Sequence, residues 1–166
     1  MMSTIGVDPY SQHVQLNDGT IVKLRIKDTA GQERFYSLSE TYYKNVDCCL
    51  LVYAINSMKS FETVKNYYVP KIKENCKNNV KVILLGNKAD LKDQRQVSLE
   101  EGRDLAVANE YMFMESSCKD NYNVSDAFTA LVEMTNTELK KNMTKAETFK
   151  IKKGKKVNNN DNNKCC

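Results

Sequence analysis

The stretch Asp28-Thr29-Ala30-Gly31-Gln32 decides how this chain is read. It closes an alternating run in which Val22, Leu24 and Ile26 face one way and Lys23, Arg25 and Lys27 the other. That period-two pattern predicts a half-buried strand. The strand carries Asp28 to its C-terminal tip, the rim where open α/β sheets bind ligands. An aspartate there can hold a hard cation through oxygen. Gly31 has no side chain to keep an anion away from its backbone N–H. Gln32 both donates and accepts, so it can orient a water without exchanging a proton. Alone, D-x-x-G reads as a turn after a strand. Two later motifs lift it above that. Asn87-Lys88-Ala89-Asp90 follows the apolar run Val82-Ile83-Leu84-Leu85-Gly86, and Ser116-Ser117-Cys118-Lys119 follows Tyr111-Met112-Phe113-Met114.

Working outward, Tyr10, Gln12, Val14 and Leu16 alternate with polar residues and predict a strand before the first. Asn17-Asp18-Gly19 supplies the hairpin turn between them, with glycine at the left-handed position. His13, the one histidine, falls on the polar alternation and reads as a solvated surface residue. Cys48 to Ile55 is a continuous apolar run, too short for a membrane and suited to a buried parallel strand. Ser57 offers an N-cap for a helix through Phe61, Val64, Tyr68 and Ile72, which Pro70 should kink. Val80–Gly86 is a further buried strand. Ser98 with Glu101 forms a capping box for a helix to Asn109. Tyr111–Met114 is a short strand, and Asn123 caps a last helix with Ala127, Phe128, Leu131 and Val132 on one face. Strand and helix alternate, so the fold class is α/β with a mainly parallel sheet flanked by helices.

The chain has 166 residues, enough for one domain with a real core. No apolar run reaches membrane-spanning length and no signal peptide opens the chain, so a cytosolic N-terminus is expected. The six cysteines show no zinc spacing and no disulfide framework, and read as free thiols in a reducing compartment. The net charge of +4 conceals an asymmetry. Residues 1–139 carry 16 Lys and Arg against 19 Asp and Glu, whereas residues 140–166 carry 9 Lys against 2 acids. The basic character therefore belongs to the tail. From Asn142 the apolar periodicity fails. Lys150 to Lys156 is polybasic and Asn158 to Asn163 is an Asn-rich spacer, and neither can build a core. The expected organisation is a domain over 1–141 and a flexible tail over 142–166. No aromatic residues interleave among the terminal lysines, which argues against nucleic-acid binding.

The three motifs, in this order, resemble the Ras superfamily of small GTPases, and the wording DTAGQERFYSLSETYY resembles its Rab branch. The resemblance implies a fold of the phosphate-loop NTPase type, GTP or GDP with Mg²⁺ as cofactors, and a switch role in vesicle-mediated membrane traffic. It implies that Asp90 accepts two hydrogen bonds from guanine, that Asn87 ties the loop and contacts N7, and that the stems of Lys88 and Lys119 pack along base and ribose. Ser117 would support Asp90. Cys118 stands where the family has alanine and would act through its backbone N–H. On the phosphate side the resemblance implies Thr4 and Asp28 as Mg²⁺ ligands, Thr29, Ala30 and Gly31 as nucleotide contacts, and Gln32 as the catalytic residue that positions water. Ile5, Gly6, Val7 and Asp8, with Phe35 and Tyr42, fall in the two switch segments. The aromatic load after Gln32 reads equally as core edge or as effector surface. Cys165-Cys166 resembles the double-cysteine ending that carries geranylgeranyl groups. That ending implies a lipid anchor on the cytoplasmic face of a membrane with a cytosolic pool. Implied partners are an escort protein, a prenyltransferase, exchange and activating proteins, and effectors.

The chain also departs from the family. The phosphate loop G-x-x-x-x-G-K-[ST] occurs nowhere in these residues. In the family the strand before that loop lies mid-sheet, between the strand ending at Asp28 and the one at Cys48–Ile55. Two unpaired edges and an uncovered sheet face are therefore expected. Pro9 and Lys27 replace two members of an exposed aromatic triad, leaving Tyr42. GTP hydrolysis is expected only where a phosphate loop is supplied. The alternatives are a non-catalytic, membrane-anchored pseudo-GTPase, an interaction decoy, or a truncated gene product.

Overall fold

The structure, a computed structural model, describes residues 10–28, 43 and 46–154, with backbone alone for 139 and 141–154. Thr4 to Pro9, Thr29 to Gln32, Phe35, Tyr42, Lys155, Lys156, Cys165 and Cys166 lie outside the described residues, and so do the expectations placed on them. Between residues 29 and 45 Tyr43 alone is described, and it is helical.

The N-terminal alternation forms the expected hairpin. Strand β1 (Tyr10–Gln15) runs antiparallel to β2 (Ile21–Ile26), with Tyr10 opposite Ile26 and Gln15 opposite Ile21. Gly19 closes the turn at φ +79°, and its N–H donates to the Leu16 carbonyl at 2.9 Å. Asp18 Oδ1 accepts the Thr20 N–H at 2.9 Å, an Asx contact that fixes the turn. Val22, Leu24 and Ile26 are half-buried, while Lys23 and Arg25 are exposed. His13 is exposed, opposite Lys23.

A separate sheet holds β3 (Cys48–Ala54), β4 (Lys81–Asn87) and β5 (Met112–Glu115), all parallel and in that order. Leu51 lies opposite Leu84, and Leu85 opposite Met114. The central strand β4 is buried on both faces: Val82, Ile83, Leu84 and Leu85 all lie in the core. Burying each such side chain contributes about 1.5–3 kcal/mol. The expectation of a fully buried strand over Cys48–Ile55 needs correction. Leu51, Tyr53 and Ile55 enter the core, but Leu50 is half-buried and Val52 is 47% exposed. The reason is position. Among the described strands β3 is the edge of its sheet, and its odd-numbered side chains join the main core while Leu50 and Val52 on the other face stay partly or largely exposed. Among the described residues the two sheets share no hydrogen-bonded strand pair.

Helix α1 (Met58–Thr63) starts at Ser57, whose Oγ accepts the Ser60 N–H. The kink expected at Pro70 takes a specific form. A π-helical segment, Val64–Tyr68, precedes α2 (Val69–Asn75), and the Val69 N–H reaches the Val64 carbonyl five residues back. Proline has no N–H to give, so the widened turn falls just before it and Pro70 enters the first turn of α2, where no donor is required. Helix α3 (Leu99–Val107) carries both halves of the Ser98–Glu101 capping box. Helix α4 (Val124–Gly154) buries Ala127, Leu131 and Val132. Its cap differs from expectation. Asn123 sits at φ +54°, and its side-chain nitrogen donates to the Glu115 carbonyl at 2.9 Å, so it ties the helix start to the end of β5. The strand bounds also shift by one residue, to Lys81–Asn87 and Met112–Glu115. Helical backbone continues to Gly154, through residues read as tail. Lys, Glu, Ala and Met there are good helix formers with no proline among them. The chain divides into two compact units, Met1–Thr135 and Asn136–Cys166.

Tyr53 organises the core beneath α3. It meets Phe61 edge-on at 5.0 Å between ring centroids. Its hydroxyl is buried with no hydrogen-bond partner among the described residues and reaches two glycines. A Cβ on Gly86 would lie 3.0 Å from that oxygen, and one on Gly102 would lie 2.7 Å from the Phe113 ring and closer still to the hydroxyl.

Candidate functional site

The tips of β4 and β5 converge into one tied rim. Parallel pairing sets Leu85 against Met114 and Gly86 against Glu115, so both motifs leave the sheet at the same end. The Ser116 N–H then donates to the Gly86 carbonyl, and the Ala89 N–H to the Ser116 carbonyl, each at 2.9 Å. These bonds lock the two loops side by side. Lys88 takes φ +65°, a left-handed step that turns the chain sharply after Asn87. Ala89 is buried beneath the loop, and Lys88 stays exposed.

Asn87 is the hub. Its Oδ1 accepts the Lys88 N–H at 2.7 Å and the Ser116 hydroxyl at 3.4 Å, with the Cys118 thiol at 3.7 Å. Its backbone carbonyl accepts the Ile55 N–H at 2.9 Å, which joins the rim to the end of β3. The carboxamide oxygen is thus spent inward, and the side-chain nitrogen remains as a donor toward the rim. Asp90 is held by Ser117, whose buried hydroxyl donates to Oδ1 at 2.6 Å. That bond, followed by smaller contributions from Lys119 and Lys88, holds the Asp90 carboxyl below the usual carboxylate range. Asp90 is therefore an ionised double acceptor at neutral pH. The same Ser117 oxygen accepts the Asp120 N–H at 3.2 Å, and Ser117 pairs through its backbone with Tyr122. Cys118 and Lys119 are exposed at the rim.

Asn87, Lys88, Asp90, Ser117, Cys118 and Lys119 are thus brought together. Asp28 is described and exposed, just beyond the end of β2 in the other sheet. Among the described residues no three His, Cys, Asp or Glu side chains group as metal ligands. The predicted contributions of Thr4, Thr29, Ala30, Gly31 and Gln32 lie outside the described residues.

Two contributors went unread in the sequence. Ser116, buried and bonded to Asn87, Gly86 and Ala89, fixes the distance between the loops. Its position inside the Ser-Ser-Cys-Lys motif was the available signal. Arg95 clamps Glu115 bidentately, at 2.7 and 2.9 Å, and so anchors the end of β5 where the rim begins. No local pattern links residues 95 and 115.

The rim gathers an ionised carboxylate, a side-chain amide and two exposed lysines on adjoining loops. A purine with adjacent N–H donors on one edge fits that set. Comparison with known proteins agrees. The family model described as Ras family matches residues 1–137. Ras-related protein Rab-8B of Homo sapiens is 42% identical over 142 residues, covering 86% of this chain and 68% of that protein. Ras-related protein Rab-8A of Gallus gallus shows the same identity and shares. Ras-related protein Rab-8 of Diplobatis ommata is 42% identical over 142 residues, covering 86% of this chain and 67% of that protein. With the motif order, the parallel sheet and the rim in place, the chain belongs to the Ras family, in its Rab branch.

Proposed function

We propose that this chain recognises guanine nucleotide through the rim of β4 and β5 and serves as a Rab-like switch in membrane traffic. The observation that carries the reading is the Ser117–Asp90 bond. It aims an ionised carboxylate outward, where guanine N1–H and its exocyclic amine would each donate. Adenine has no such pair and would leave the carboxylate unpaired, a heavy penalty. The Asn87 side-chain nitrogen would meet N7. Bound nucleotide would bring Mg²⁺ to the phosphates, with Asp28 and Thr4 as this chain's candidate ligands. Gly31 would offer a backbone N–H to the terminal phosphate, and Gln32 would orient water.

A second reading, a membrane-anchored pseudo-GTPase without turnover, applies only where no phosphate loop precedes these residues in the whole protein. The 166 residues contain no G-x-x-x-x-G-K-[ST] loop. Each missing charge-assisted bond to phosphate weakens binding by on the order of 1.5–3 kcal/mol. For these 166 residues by themselves, guanine selectivity with little hydrolysis is the expected combination.

The membrane side of the reading rests on the tail. Geranylgeranyl groups on Cys165 and Cys166 would give stable two-chain anchoring, with Lys152, Lys153, Lys155 and Lys156 adding attraction to an anionic leaflet. Such anchoring calls for the escort protein and prenyltransferase that act on double-cysteine ends. We place the working boundary between domain and tail near residue 141. No helix among the described residues is long and apolar enough to cross a membrane.

The test is competition between guanosine and adenosine diphosphates on the purified chain, read by NMR shifts of the rim amides. Guanine-selective shifts at Asn87, Asp90 and Lys119 that vanish in Asp90→Ala support the reading. Equal response to both bases overturns it. Mass spectrometry of the C-terminal peptide from a membrane fraction tests the anchor: unmodified Cys165 and Cys166 would rule it out.

A further inference from the structure

Three donors converge on one end of the Asn87 carboxamide. They are the Lys88 N–H at 2.7 Å, the Ser116 hydroxyl at 3.4 Å and the Cys118 thiol at 3.7 Å. A backbone N–H donates and never accepts, so that end is the oxygen and the other end is the NH2 group. Whatever holds the oxygen therefore also aims the nitrogen.

The three donors hold it differently. The Lys88 N–H belongs to the next residue of the same turn and travels with Asn87. Ser116 and Cys118 come from the neighbouring loop, so they tie the side chain across the rim. The Ser116 contact is long for a bond between two oxygens. The Cys118 contact is ordinary for sulfur, which is the larger atom and the weaker donor. Its turn is braced, because Ser117 exchanges two backbone bonds with Tyr122, at 2.9 and 3.0 Å, and accepts the Asp120 N–H through its hydroxyl at 3.2 Å. A thiol presented from a fixed turn loses little freedom in making its contact. Alanine, the residue that the family resemblance leads one to expect here, would keep the backbone and lose the tie. Asp90 is held separately, by Ser117. The thiol thus bears on the Asn87 side of a bound base and not on the Asp90 side.

We propose that the Cys118 side chain is a positioning residue of the base site. Its S–H donates to Asn87 Oδ1 and turns the Asn87 amide nitrogen toward N7 of a bound guanine. For the ligand this rests on the guanine reading; for the orientation of Asn87 it rests on the three contacts.

The test has two arms, both on the full chain, comparing wild type with Cys118→Ser and Cys118→Ala. Cys118 is exposed, so alanine there opens no cavity. Without nucleotide, nitrogen-15 relaxation of the Asn87 side-chain amide should show greater mobility in Cys118→Ala, while the backbone amides of the same loop stay unchanged. With nucleotide, binding of guanosine diphosphate is compared with that of its 7-deaza analogue, which has carbon at N7, and of inosine diphosphate, which lacks the exocyclic amine. The preference over the 7-deaza analogue should fall about two- to fivefold in Cys118→Ala. Cys118→Ser keeps a hydroxyl donor of shorter reach and should fall between. The preference over inosine diphosphate, set by Asp90, should hold. An Asn87 amide no more mobile in Cys118→Ala overturns the proposal. So does an equal fall in both preferences, which a merely loosened loop would give. Should wild type fail to distinguish guanosine from adenosine diphosphate, the guanine reading falls, and the nucleotide-free arm alone decides what Cys118 does to Asn87.

Discussion

The two sheets of this chain end in unlike ways. The three-stranded sheet ends in a rim where Asn87, Ser116 and Ser117 tie the loops together with bonds of 2.6 to 3.4 Å. The hairpin ends at Asp28, exposed and without a hydrogen bond or ion pair to any described residue. The difference follows from how each is built. The rim draws on two adjacent parallel strands, so its loops meet as a consequence of the register. Among the described residues the hairpin's tip meets no parallel strand. The rim proposed for base recognition is thus preorganised by local packing, whereas phosphate and metal chemistry needs groups gathered from several elements.

The sharpest way to break this comparison is through the cores. Leu84→Ala should cost about 2–5 kcal/mol, because the side chain is fully buried in the central strand. Leu24→Ala, half-buried in the hairpin, should cost under about 1 kcal/mol. Equal costs in urea denaturation would mean that both sheets share one core. Next in size is the clamp under the rim. Glu115→Gln leaves the partly buried Arg95 with a weaker partner and should cost about 1–3 kcal/mol. It should also loosen the rim, visible as faster amide exchange at Ser116 and Ser117; no change there would uncouple the clamp from the site.

Smaller effects sharpen the rim itself. Ser117→Ala removes the main influence lowering the Asp90 carboxyl, which should then titrate nearer the ordinary aspartate value. Carbon-detected NMR titration measures this directly. The pH dependence has a definite sign. A depressed folded-state value means that Asp90 contributes stability above its unfolded value of about 3.9, and that this is lost as pH falls through the lower folded value. Acid unfolding curves of wild type and Ser117→Ala should therefore differ in slope below about pH 4 and run parallel near neutrality. Parallel curves throughout would remove Asp90 from the acid transition.

The legible parts of the molecule were those whose signal is local. The hairpin over Tyr10–Ile26 followed from alternation and one glycine turn, and the Ser98–Glu101 box from spacing alone. The Ser117–Asp90 partnership followed from motif resemblance and appears at 2.6 Å. What escaped was set by neighbours distant in sequence. Cys48–Ala54 is apolar enough to pass for a fully buried strand, yet Val52 is 47% exposed, and composition does not say which face the fold covers. Pro70 announced a disturbance but not its form, since a kink and a π turn both answer a missing donor. Arg95 and Glu115 are paired by the fold, with no periodicity between them.

Tyr53 sets a rule of order for how this sequence can drift. Its hydroxyl occupies the room that a side chain at Gly86 or Gly102 would need. While the tyrosine stands, alanine at Gly102 collides with the hydroxyl and with Phe113. Loss of the hydroxyl, as in Tyr53→Phe, deletes a buried oxygen that bonds to no described residue and opens part of that space. The three positions therefore constitute one mutational neighbourhood with a preferred path. A lineage that gives up the phenol first acquires new choices at the glycines, and one that changes a glycine first meets a barrier.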